Sequence, residues 1–96
     1  MEYEQRRKRA LWRAGHRGTR ELDLLMSQFV HDFLPEHSAQ DDTAAWADAL
    51  DRMAQIEQLQ MVNDPEVQEW LQRPDSIPAE LPEPLLSALR SFEYRL

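Results

Sequence analysis

The sequence predicts an all-α fold, a compact bundle of about five short helices, and three observations carry that expectation. Glycine occurs only twice, at Gly15 and Gly18, so most of the chain lacks the residue that weakens helix interiors. Apolar residues recur at spacings of three and four, the signature of a helix with one buried face. No stretch of useful length alternates apolar and polar residues with β-branched enrichment, which is what a half-buried strand requires.

The first helix is expected over about residues 3–14, with Gly15 at C′ in a left-handed conformation. Gly18 suits an N-cap, which puts Glu21 at N3, the acid position of a capping box. The second helix runs to about Leu34, ahead of Pro35. Its apolar set is Leu22, Leu25, Met26, Phe29, Val30 and Phe33, one continuous stripe. Ser38 with Asp41 marks the start of a third helix that ends near Gln60 and buries Trp46, Leu50, Met53 and Ile56. Asp64-Pro65 reads as an aspartate N-cap with proline at N1. The fourth helix that follows stops before Pro74 and buries Val67, Trp70 and Leu71. A linker spaced by Pro74, Pro78, Pro82 and Pro84 leads to a last helix carrying Leu85, Leu86, Leu89 and Phe92.

The length of 96 residues allows a single helical domain, residues 1–96, with a modest core. Cysteine is absent, so no disulfide, thiolate metal site or cysteine nucleophile can form. No apolar run approaches the length of a membrane span, and the N-terminus lacks a signal h-region, so the expectation is a cytoplasmic protein with no membrane insertion. The net charge of −7 is unevenly placed. Residues 1–20 hold seven basic groups against two acids, and the remainder holds four against sixteen. An acidic bulk repels phosphate, so this asymmetry favours an oriented protein-binding surface over a nucleic-acid-binding domain.

At 100° per residue, Leu24 falls opposite the stripe of the second helix, beside Glu21 and Gln28. One reading is a single exposed leucine, ordinary on any surface. The other is a partner-binding spot with an apolar centre and a charged rim. Arg17 and Glu21 stand four apart; a structural ion pair is the plain reading, and a weak one in the order Arg before Glu. Gly18 is either a turn residue or a point where a partner approaches the backbone closely.

The stretch His16-Arg17-Gly18-Thr19-Arg20-Glu21-Leu22-Asp23, with Trp12 before it and Asp64-Pro65 and Trp70-Leu71 after it, resembles the SdhE family. The family's R-G-x-x-E motif falls on Arg17, Gly18 and Glu21, and its D-P-x-x-x-x-W-L stretch on Asp64, Pro65, Trp70 and Leu71. The sequence departs from the pattern at His16, where another basic residue is common, and in the proline-rich approach to the last helix. The resemblance implies a five-helix assembly factor for the flavoprotein subunit of succinate dehydrogenase, and of fumarate reductase where present. The client's own histidine bonds to the flavin 8α-methyl carbon, largely by autocatalysis, while the factor holds the geometry. It implies a client-binding surface of Arg17, Gly18 and Glu21, with His16 and Arg20 at its edge. Arg17 and Glu21 are expected to form charge-assisted hydrogen bonds to the client. Leu24 joins them on the helix projection. Asp64 is expected to act as a cap and not as a contact. The FAD belongs to the client, and this factor, expected to be a monomer, binds none tightly itself; no glycine-rich phosphate loop is present.

Other chemistry finds less support. His16, His31 and His37 match no metal-ligand spacing. No constellation of acid, base and nucleophile emerges, so the chain is not expected to be an enzyme. Trp12, Trp46 and Trp70 are expected in the core. The basic run Arg6-Arg7-Lys8-Arg9 is expected to be a solvated helix face. A nucleic-acid-contacting regulator using that helix, or an antitoxin-type interaction protein, is the alternative function.

Overall fold

Five α-helices follow one another in the computed structural model, which describes residues 2–35 and 43–94. They are α1 (Tyr3–Ala14), α2 (Arg20–Phe33), α3 (Thr43–Leu59), α4 (Asp64–Gln72) and α5 (Leu85–Ser91), with one 3₁₀ turn at Pro74–Ser76. No strand occurs among the described residues. The Cα radius of gyration of 13.1 Å is that of a compact domain of this length. The expected start of the third helix at Ser38 and Asp41 lies outside the described residues.

All six stripe residues of α2 are buried, and they form the centre of the core. Phe29 stacks on Phe33 and meets Phe92 edge-on, with ring centroids 5.6 and 5.5 Å apart. Met53 and Ile56 of α3, Val67, Trp70 and Leu71 of α4, and Leu85, Leu86 and Leu89 of α5 complete one cluster. Trp46 and Leu50 are only half-buried against it. The proline-rich approach to α5 is fixed by Gln55, a buried polar side chain of α3. Its amide donates to the Glu83 carbonyl at 2.8 Å and accepts from the Leu85 N–H at 3.1 Å, so both of its polar atoms are satisfied.

Three local expectations change. Gly15 closes α1 at φ −85°, not in a left-handed conformation. A Cβ there would stand 3.4 Å from the Ser27 hydroxyl of α2, an ordinary contact distance. Trp12 is 63% exposed and outside the core. The buried line of α1 runs through Tyr3, Ala10 and Ala14, and position 12 points about 160° away from Ala10 and Ala14. The basic run is not wholly solvated either. Arg6 forms a two-pronged pair with Glu57 of α3 at 3.0 and 2.6 Å.

The hydrogen bonds from Arg6 hold the Glu57 carboxyl below its ordinary pKa. A carboxylate with a lowered folded pKa stabilises the fold above its unfolded pKa and loses that contribution as the pH falls through the folded one. Glu57→Gln should therefore cost about 1 kcal/mol or less at neutral pH. The variant and wild type should converge as the pH drops below the ordinary carboxylate value of 4.5. Acid titration of helical ellipticity checks both halves.

Candidate functional site

The motif region is built around the turn that joins α1 to α2. Gly18 has φ +117°, a conformation that side chains rarely adopt. Thr19, not Gly18, is the N-cap of α2, and its hydroxyl accepts from the Leu22 N–H at 3.2 Å. Glu21 is therefore at N2, and no capping box forms. The Arg17 N–H donates to the Asp23 carboxylate at 2.6 Å, which folds the turn back on the helix.

Arg17 points inward. Its side chain is 8% exposed and pairs with the Asp64 carboxylate at 2.8 Å. The guanidinium also donates to the Gln60 and Val62 carbonyls at 3.0 and 2.8 Å. It thus ties the α1–α2 turn to the α3–α4 turn. The Arg17–Glu21 ion pair of the plain sequence reading does not form: Arg17 is joined to Asp64 instead. This also revises Asp64, which is no cap: Asn63 caps α4, accepting from the Glu66 N–H at 3.1 Å.

Glu21 is exposed, and its carboxylate accepts from the side-chain amides of Gln68, at 3.3 Å, and Gln72. Asp64, Gln68 and Gln72 stand at i, i+4 and i+8, one stripe of α4. Arg17 and Glu21, also four apart, meet that stripe at Asp64 and at the two glutamines. The R-G-x-x-E turn and the polar stripe of α4 are thus a single interlock. Gly18 lies over it, where a Cβ would stand 3.8 Å from the second Asp64 oxygen.

The remaining predicted residues face outward around this interlock. Leu24 is 46% exposed, on the face of α2 that the helix projection assigned to it. His16, Gly18 and Arg20 are exposed. The His16 ring stacks on Trp12 with centroids 4.1 Å apart, and its Nδ1 lies 2.6 Å from the Trp12 carbonyl oxygen. Asp64, Gln68, Gln72 and the exposed Trp12 are the site residues that sequence reasoning missed. The first three were legible as a polar stripe with a spacing of four, ending beside the buried Trp70-Leu71 pair.

Chemically, the site offers an outward carboxylate held in place by two amides, an exposed cation, an exposed leucine and an open stretch of backbone at Gly18. The anchored turn presents these groups to solvent in a fixed arrangement. No helix among the described residues is long and apolar enough to cross a membrane.

No curated protein and no solved structure matches the chain significantly. A family model described as flavinator of succinate dehydrogenase, Sdh5, matches residues 8–93. That span takes in both halves of the interlock, and the chain belongs to this family of succinate dehydrogenase flavinators, the one its R-G-x-x-E and D-P-x-x-x-x-W-L stretches resemble.

Proposed function

We propose that the surface around the Gly18 turn docks on the flavoprotein subunit of succinate dehydrogenase, and on that of fumarate reductase where present, and aligns it for covalent flavinylation. The observation that carries this reading is the division of labour at the interlock. Arg17 is spent on internal contacts, which leaves Glu21, Gly18, Leu24, His16 and Arg20 displayed around it. Glu21 accepts hydrogen bonds from the client through the lone pairs that Gln68 and Gln72 leave free. Arg17 positions the turn and does not itself reach the client. Leu24 supplies an apolar centre to a polar rim.

The bond between the client histidine and the flavin 8α-methyl carbon is the client's own chemistry, and this chain contributes position, as a monomer. FAD stays with the client. Among the described residues, the apolar groove formed by α3, α4 and residues 81–85 is lined by Asp51 and by no cationic side chain, a lining ill suited to the phosphates of a dinucleotide. The partial engagement of the basic run by Glu57 weighs against the nucleic-acid reading.

The test is flavinylation of the apo flavoprotein subunit with and without this protein, read as in-gel flavin fluorescence. Faster covalent incorporation in its presence is the expected result, and an unchanged rate sinks the reading. Within that assay, Leu24→Asp should weaken client binding about tenfold or more. Its stability should stay within about 0.5 kcal/mol of wild type, because the side chain is already half in water. Differential scanning fluorimetry beside a binding titration checks the pair of outcomes.

A further inference from the structure

One large aromatic side chain near the motif is left in water. Trp12 is 63% exposed, and its indole is not loose, because the parallel His16 ring lies against it with an interplanar angle of 14°. The two rings form a flat, pre-set ledge at the C-terminal end of α1. The ledge borders a notch of about 290 Å³ whose other walls include Arg17, Gln60, Val62 and Asp64. The same Asp64 underlies Gly18, so the notch adjoins the motif turn. Met61, 81% exposed, stands in the chain between two of the lining residues.

Aromatic side chains of this kind supply much of the binding energy at protein interfaces, for little loss of conformational freedom.

We infer that Trp12 is the apolar anchor of the client interface, and that an apolar or aromatic side chain of the flavoprotein subunit seats on it at the edge of the notch. That side chain lies on the indole face that the His16 ring leaves open. This inference rests on the docking reading of the Gly18 turn and extends that surface across Asp64 to α1. A stacked nucleobase is the competing occupant of an aromatic ledge. The Asp64 carboxylate in the notch wall and the net charge of −7 disfavour it.

The experiment compares wild type, Trp12→Ala, Trp12→Phe and Gly18→Arg for binding to the purified apo flavoprotein subunit, at equal folded fraction by circular dichroism. Trp12→Ala should weaken binding about tenfold or more, and Trp12→Phe should recover it to within about threefold, since a phenyl ring keeps most of the apolar face. Wild-type binding by Trp12→Ala, with binding lost in Gly18→Arg, overturns this inference and leaves the docking reading intact. Wild-type binding by both variants removes the docking reading itself. A Phe variant as weak as the Ala variant also overturns the anchor role. So does quenching of wild-type tryptophan fluorescence by a single-stranded RNA oligonucleotide, absent in Trp12→Ala, which would assign the ledge to nucleic acid.

Discussion

Arg17→Ala is expected to lose about 2–4 kcal/mol of stability, the cost of leaving a partly buried carboxylate and two main-chain carbonyls without their donor. Asp64 is 40% exposed and regains water, which keeps the loss below that of a fully buried ion pair. In a chain of 96 residues each kcal/mol corresponds to about 4–8 °C, so the melting temperature should fall by at least about 8 °C. Arg17→Lys should recover only part of the loss. A lysine keeps the charge near Asp64 but cannot reach two carbonyls and a carboxylate with one planar fork. Flavinylation by Arg17→Ala should fall as well, and lowering the temperature to restore the folded fraction should restore part of it. Thermal melts of the three proteins test this. A melting temperature within about 2 °C of wild type for Arg17→Ala would show that the guanidinium is not the internal tie described here.

Gly18→Arg is expected to fail for two separable reasons. The backbone at φ +117° costs a residue with a Cβ about 1–3 kcal/mol, although space for the Cβ itself exists, with the nearest heavy atom at 3.8 Å. The long side chain would then occupy the open approach to the turn. Gly18→Ala carries the first penalty without the second. It should melt several degrees below wild type yet promote flavinylation at a rate near normal once folded. Gly18→Arg should melt as low and promote almost none. Equal activity in the two variants at equal folded fraction would mean that the glycine serves the turn alone, with no close docking over it.

The buried face of the second helix is fully legible because its stripe is long and strictly periodic, and all six of its apolar positions are buried. The caps were each displaced by one residue. Gly18 and Thr19, like Asn63 and Asp64, are neighbours that can both cap a helix. At the fourth helix the choice accompanies a contact far along the chain, since the Asp64 carboxylate is held by Arg17. Local spacing carries no information about such a pairing. The outward position of Leu24 followed from helix geometry alone. The inward turn of Arg17 did not, because a long flexible side chain at a turn can fold either way. Trp12 shows the opposite failure. Its hydrophobicity suggested the core, while the 3.6-residue period of Ala10 and Ala14 already placed it on the outer face.

With Glu21 as the proposed outward contact and Arg17 as the inward tie, the most direct measurement is the flavinylation rate of the apo flavoprotein subunit with Glu21→Ala. The carboxylate is exposed and held only by two glutamine amides, so its removal should cost about 1 kcal/mol or less in stability. The account predicts a rate at least about tenfold below that with wild type, at a melting temperature within a few degrees of it. A wild-type rate with Glu21→Ala would contradict the assignment of this face to the client.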